Sequence, residues 1–232
     1  MEIISYNGVN DLIVKFLDEY GVEVHTVYQA FKKGNVKNPY DRTVYGVGYI
    51  GTGRYSVFDS NCNWKQRYSA WRGLLGRCYP EKTRAMWKSY DDCEVCNEWL
   101  NYQNFAEWYD DNLYHVDNER MHVDKDILVP GNRIYSPDFC LIVPQRINML
   151  FMERRNKSNG LPTGVGYSTS SYNPYNATYN GKYLGVFKTI DDAQEAYFKA
   201  KENCIKEIAD EYKDKIPKKL YEALYNWKMS DK

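Results

Sequence analysis

Residues 122–150 constrain the fold of this chain more than any other stretch. Apolar runs predict a short strand over residues 121–128 and a second strand over residues 139–143, with a Pro-Gly-Asn turn at residues 130–132 between them. A helix is predicted to begin after Pro144, because proline is favoured at helix starts. Strand, loop, strand and helix in this order form one compact unit.

Ionisable side chains are concentrated in the first of these strands. Side chains of a strand alternate between its two faces, which places His122, Asp124 and Asp126 on one face and Lys125 on the other. Such a face could bind a divalent cation through its carboxylate oxygens. The plainer interpretation is that the carboxylates cap a turn and that His122 is an ordinary surface residue.

This stretch resembles the ββα-metal core of HNH nucleases. In that family a strand ends in Asp-His, the loop carries an Asn, the second strand reads LxxVT, and an Asn or His on the helix completes the metal site. Asp124, Asn132, the LIVP sequence at residues 141–144 and Asn148 match that order. The resemblance implies a Mg²⁺ or Mn²⁺ ion held by Asp124, Asp126 or both, together with Asn148. It also implies that Asn132 orients the attacking water.

Lys125 occupies the position of the family's catalytic His. A lysine with an ordinary pKa of about 10.4 is protonated at neutral pH and cannot accept a proton from water. His122 could act as the base instead. Two hypotheses follow: a phage-type, homing-endonuclease-like enzyme that cuts or nicks DNA by metal-assisted hydrolysis, or a catalytically inactive binder that occupies DNA or a host defence or transcription protein.

The strand periodicity also makes a geometric prediction. Asp124 should lie within water-bridging reach of Asn148, with Lys125 directed to the opposite face. A Lys125 ammonium between Asp124 and Asn148 would instead be a structural ion pair in the place of the cation, and would exclude catalysis.

The region before this core divides into two parts. Residues 1–58 alternate short apolar runs with glycine-rich turns, which predicts a small β-rich module. Helical periodicity then begins, with a second helix over residues 99–109. The first helix has a predicted apolar stripe made of Tyr68, Trp71, Leu74, Leu75 and Cys78. Both parts resemble segments that precede HNH-like cores in bacteriophage proteins.

Charge is uneven along the chain, although the formal net charge is zero. Residues 61–90 hold seven Lys/Arg and one acid, residues 91–126 hold two and eleven, and residues 127–190 hold seven and two. Phosphate neutralisation is a local requirement, so two basic blocks favour contact with double-stranded DNA. The acidic block could instead mimic DNA toward a basic protein. The candidate DNA-contacting arginines are Arg67, Arg72, Arg77, Arg133, Arg146, Arg154 and Arg155.

The cysteines and the hydropathy of the chain indicate whether it binds zinc, forms disulfides or enters a membrane. Cys93-x-x-Cys96 is a lone pair, so zinc is not expected and the six cysteines are interpreted as thiols. The chain has no run of 18 apolar residues and no signal-peptide pattern, which predicts a cytoplasmic protein that does not enter membranes, in the host cell if it is phage-encoded.

A polar stretch at residues 154–163 is interpreted as a linker. Three strands are predicted after it, over residues 165–169, 175–179 and 182–187, with a type I′ turn at Asn180-Gly181. An amphipathic helix capped by Thr189 follows, and a helical tail split at Pro217 ends the chain.

The run LGVFKTIDDAQEAY within this region resembles the Apetala, or ethylene-response-factor, DNA-binding domain. In that family a three-stranded sheet enters the major groove. The resemblance implies DNA contacts from the strand and turn residues Tyr167, Tyr172, Tyr175, Lys182 and Tyr183, although the first strand lacks the family's arginines.

The sequence therefore predicts an α+β protein in four parts. These are a small β-rich module (1–58), a helical segment with a degenerate ββα-metal core (59–153), a linker (154–163), and a three-stranded antiparallel sheet packed on one helix with a helical tail (164–232).

Overall fold

Residues 1–86, 90–152 and 160–229 are described by a computed structural model. Arg154, Arg155 and most of the predicted linker lie outside these ranges. The strands are β1 (Glu2–Gly8), β2 (Asp11–Lys15), β3 (Glu23–Thr26), β4 (Glu94–Val95), β5 (Met121–Asp124), β6 (Ile134–Tyr135), β7 (Leu141–Pro144), β8 (Val165–Tyr167), β9 (Tyr175–Tyr179) and β10 (Lys182–Phe187). The α-helices are α1 (Tyr28–Lys32), α2 (Gln66–Cys78), α3 (Glu81–Met86), α4 (Tyr102–Asn112), α5 (Gln145–Phe151), α6 (Ile190–Tyr212) and α7 (Lys218–Tyr225).

These elements form two units. Unit 1 contains Met1–Asp111 and Arg133–Ser136, and unit 2 contains Asn112–Asn132 and Pro137–Lys232. The mixed α and β class is as predicted, while the four-part division remains a prediction. None of the described helices has the length and apolar character needed to cross a bilayer.

The N-terminal part of unit 1 is an antiparallel meander in the order β1-β2-β3. The central strand β2 buries Leu12 and Val14 completely, and Phe31 of the short helix α1 packs against them. The β-rich prediction is confirmed for residues 1–26.

Aromatic side chains form the core of the helical part of unit 1. The predicted stripe of α2 is confirmed, since Tyr68, Trp71, Leu74, Leu75 and Cys78 are all buried. The indole of Trp71 donates a hydrogen bond of 2.6 Å to the carbonyl of Trp99. The second helix is α4, preceded by a 3-10 turn at Asn97–Leu100.

The C-terminal part of unit 2 folds closely as predicted. Strands β8, β9 and β10 form an antiparallel sheet in the order β10-β9-β8. Asn180 and Gly181 both have positive φ, as a type I′ turn requires. The hydroxyl of Thr189 accepts a hydrogen bond from the Asp192 N–H at 3.1 Å and caps α6.

Helix α6 joins this sheet to the ββα elements of unit 2. Near its start, Ala193 packs with Val165 and Ala177 of the sheet. Toward its end, Ile205 and Ala209 lie in a second cluster with Val143 and Ile147 of β7 and α5, which also takes in Leu220 and Leu224 of α7. In the C-terminal tail, helix α7 begins directly after Pro217, as predicted. The three-stranded sheet and the ββα elements are therefore packed on one continuous helix.

We expect Leu224→Ala to destabilise unit 2 by about 2–5 kcal/mol, because it removes a fully buried side chain from the cluster shared by α5, α6 and α7. Lys219→Ala, on the exposed side of α7, is the matched control and should change stability by no more than about 0.5 kcal/mol. Urea unfolding followed by circular dichroism measures both. Equal unfolding midpoints for the two variants would show that the tail does not contribute to the core.

Candidate functional site

The candidate site is the loop that leaves β5. This strand ends at Asp124, and its predicted extension to residue 128 is wrong. The reason is local: Oδ1 of Asp124 accepts hydrogen bonds from the backbone N–H groups of Asp126 and Ile127, both at 2.8 Å. This Asx turn bends the chain out of the strand. The predicted common face therefore holds for His122 and Asp124 but does not extend to Asp126.

The elements after the loop match the prediction more closely. β7 runs antiparallel to β5, with Met121 opposite Pro144 and Asp124 opposite Leu141, and it lies one to two residues later than predicted. Helix α5 begins directly after Pro144. Asn148 lies half-buried on α5, and His122 lies half-buried on β5 opposite Val143.

Lys125 is buried, with 5% of its surface exposed. Its Nζ lies 2.8 and 2.9 Å from the two carboxylate oxygens of Asp126 and 2.5 Å from the carbonyl oxygen of Asn132. In return, the Asn132 side chain donates a hydrogen bond of 3.0 Å to the Lys125 carbonyl. These reciprocal contacts close the loop from 125 to 132. The predicted opposite-face orientation of Lys125 does not apply, because the strand ends before it.

Burial controls the electrostatics of Asp124, of which 8% is exposed. Desolvation raises the pKa of its carboxyl above the ordinary value, and the N–H groups of Ile127 and Asp126 act in the opposite direction. The nearby carboxylate of Asp126 raises the pKa further, while the Lys125 ammonium lowers it.

The arrangement does not fit a Mg²⁺ or Mn²⁺ ion. Such ions need several oxygen ligands in near-octahedral geometry. Here Oδ1 of Asp124 accepts two backbone N–H groups and both oxygens of Asp126 contact the Lys125 ammonium. Across residues 1–86, 90–152 and 160–229, no group of three or more His, Cys, Asp or Glu side chains is placed to hold a metal, including around Cys93 and Cys96.

Two of the arginines predicted to contact DNA form ion pairs within the fold. Arg67 pairs with Asp110 at 2.8 Å, and Arg146 makes a two-pronged ion pair with Glu211 at 2.5 and 2.8 Å. The hydrogen bonds that the Arg146 guanidinium donates to the Glu211 carboxylate raise the pKa of Arg146. The partners lie 43 and 65 residues away in sequence, so a helix-face argument could not find them.

The remaining predicted arginines differ in environment. The Arg72 guanidinium lies 4.4 Å from the ring centre of Trp64, and that of Arg77 lies 5.5 Å from the ring centre of Tyr135. Arg133 is exposed.

The strand register places the predicted DNA-contacting residues of the C-terminal sheet on different faces of that sheet. Ala177 is fully buried against α6, so its neighbours Asn176 and Thr178 face away from the helix. Tyr183 pairs with Thr178 and therefore lies on this open face, where Val186 pairs with Asn176.

The other four predicted side chains lie around the margin of the sheet. Tyr167 pairs with Tyr175, and Lys182 pairs with Tyr179, which places these side chains on the helix side. Tyr172 is exposed, and the Nζ of Lys188 lies 4.5 Å from its ring centre. Sequence reasoning missed the open-face residues Asn176, Thr178 and Val186, although strand alternation around the small residue Ala177 was a signal that could have found them.

Comparison of the chain with protein-family models, with curated proteins and with solved structures found no match. The function is therefore argued from the geometry of the chain's own residues.

Two substitutions at Asp124 test whether its role is structural. Asp124→Asn keeps an Oδ1 acceptor and removes a buried charge, whereas Asp124→Ala leaves two backbone N–H groups without that acceptor, at a cost of about 1–3 kcal/mol. Because burial raises the pKa, the carboxyl contributes stability below its ordinary pKa, and this contribution is lost as the pH rises through the raised value.

We therefore expect Asp124→Asn to be at least as stable as the native protein at pH 7, with Asp124→Ala clearly less stable, in thermal unfolding scans. An Asp124→Asn variant as unstable as Asp124→Ala would show that the carboxylate itself is required.

Proposed function

We propose that this protein binds double-stranded DNA without cutting it. The observation that carries the proposal is the buried Lys125 ammonium, which contacts both oxygens of Asp126 and the carbonyl of Asn132. It occupies the loop in which an HNH-like nuclease would need a catalytic base and a metal ligand. The resemblance to HNH nucleases of phages supports DNA as the partner. The Lys125 contacts argue against retained catalysis.

The chemistry of these contacts opposes hydrolysis in two ways. An ammonium group that donates to a carboxylate and a carbonyl has no lone pair with which to accept a proton from water. The same ammonium neutralises Asp126, the carboxylate that would have helped to hold a cation. A metal ion would have to displace a buried, hydrogen-bonded lysine before it could bind there.

The open face of the C-terminal sheet supports the DNA-binding half of the proposal. Asn176, Thr178 and Tyr183 provide hydrogen-bonding groups on it, and a small sheet fits the width of the major groove. Lys188 is exposed at the end of β10, with its Nζ 4.5 Å from the ring centre of Tyr172, where it can contact phosphates.

The opposite side of this part of unit 2 is acidic. Asp191, Asp192 and Glu195 are exposed on the first turns of α6. These carboxylates would repel the phosphate backbone, so the sheet rather than the helix is the side that we propose faces DNA.

A host protein that recognises the acidic block has less support. Of the eleven acids in residues 91–126, five pair with cations within residues 1–86, 90–152 and 160–229. These are Asp91, Glu107, Asp110, Asp117 and Asp126. This internal pairing lowers the negative charge that a DNA mimic would have to present.

Duplex binding is tested by comparing two variants, one that removes a lysine charge at the margin of the sheet and one that removes a lysine charge on α6. We expect Lys188→Ala to weaken binding to a labelled mixed-sequence duplex and to lower the salt dependence by about one counterion, because a phosphate contact is lost. Lys199→Ala removes the same charge from the exposed side of α6, where Lys199 pairs with Glu195, and should leave binding unchanged.

Fluorescence anisotropy over a range of salt concentrations measures both variants. A native protein that does not bind the duplex, or equal losses in the two variants, would contradict the proposed orientation and use of the sheet.

A further inference from the structure

Unit 1 exposes three aromatic rings beside α2, those of Tyr45, Phe58 and Trp64. We call these three residues, together with Arg72 of α2, the stacking surface. Trp64 is 48% exposed, Phe58 51% and Tyr45 41%. An isolated antiparallel bridge joins Phe58 to Trp64, so these two residues are direct neighbours. Large aromatic side chains exposed together are costly in water unless a partner covers them.

A guanidinium group lies among these rings. The Cζ of Arg72 is 4.4 Å from the ring centre of Trp64 and 5.7 Å from that of Tyr45. A planar guanidinium stacks on aromatic faces and on nucleobases, and it also carries a charge that attracts phosphate. The stacking surface thus combines flat apolar faces with a fixed positive charge.

The rings are held in position by the fold beneath them. Trp64 contacts the buried Tyr68 edge to face, with ring centres 5.7 Å apart. Tyr45 has a positive φ of 54°, which is unusual for an aromatic residue. Its hydroxyl end lies against Gly76 of α2, where a Cβ would approach the Tyr45 oxygen to 2.9 Å. Rings that are already in place lose little conformational entropy when a ligand binds.

The charge of this region favours a polyanionic partner. Residues 54–77 contain five Lys or Arg side chains and one acid, Asp59. Two of the five, Arg54 and Arg67, pair with Glu107 and Asp110. The carboxylate of Asp59 is occupied within its own turn, where it accepts the N–H groups of Asn61 and Asn63 at 2.9 Å. The partner that offers both negative charge and flat faces is a nucleic acid strand whose bases are unpaired, because a duplex stacks its base faces internally.

We propose that the stacking surface is a second nucleic-acid site, at which bases of single-stranded DNA stack on Trp64 and Phe58 beside the Arg72 guanidinium. All of its residues belong to unit 1, so it is independent of the C-terminal sheet and of the proposed duplex binding.

The test uses the full chain and a fluorescent oligothymidylate of about 12 nucleotides, within the range of sites that single-strand binders cover. We expect Trp64→Ala to weaken binding by about tenfold or more, since each stacked base contributes on that scale. Arg72→Lys keeps the charge but loses the planar group, and should also weaken binding. Tyr6→Ala removes another exposed ring of unit 1, outside the surface, and is the matched control that should bind like the native protein.

An abasic oligonucleotide with the same number of phosphates separates stacking from charge attraction. It should bind the native protein far more weakly than the oligothymidylate does, and Trp64→Ala should remove most of that difference. Equal binding of the two oligonucleotides would overturn the proposal. So would native affinity in both Trp64→Ala and Phe58→Ala. A native protein that does not bind the oligothymidylate at all would overturn it too, and would leave a protein partner for this surface.

The duplex-binding proposal and the single-strand proposal can each be contradicted without the other. Trp64→Ala should bind duplex DNA like the native protein, and Lys188→Ala should bind the single strand like the native protein. A thermal unfolding scan of each variant shows that any loss of binding is not a loss of fold.

Discussion

The ion pair between Lys125 and Asp126 determines what the loop after β5 can do. An ammonium buried at this depth has to be neutralised and hydrogen-bonded, and Asp126 and the carbonyl of Asn132 provide both. Asn132 then holds the Lys125 carbonyl, so the loop is closed by two side chains that each bind the other's backbone. The loop thus carries one buried positive charge of its own.

Helix α6 has the corresponding role for the architecture of unit 2. Its first turns pack on the three-stranded sheet, and its last turns pack on β7 and α5. One continuous helix of 23 residues therefore contacts both the sheet and the ββα elements. Two further contacts reinforce this packing, the ion pair of Arg146 with Glu211 and the hydrogen bond from Tyr212 to Glu119.

The sequence predicted those features that depend on local pattern. The apolar stripe of α2, the turn at Asn180-Gly181, the Thr189 cap and the start of α5 after Pro144 all follow from neighbours in the chain. The end of β5 could not be predicted from periodicity, because a single hydrogen-bonding side chain, Asp124, overrode the strand pattern. The partners of Arg67 and Arg146 were also out of reach, because they come from distant segments that only the tertiary fold brings together.

We expect this protein to occupy DNA without cutting it, and incubation with supercoiled plasmid measures whether it does. The plasmid is mixed with enough protein to retard its migration, in Mg²⁺ and separately in Mn²⁺, and is then deproteinised and resolved on a gel. We expect the plasmid to remain fully supercoiled in both metals. Nicked or linear plasmid that requires the metal and disappears with His122→Ala would contradict the claim, and would show that His122 acts as the base despite Lys125.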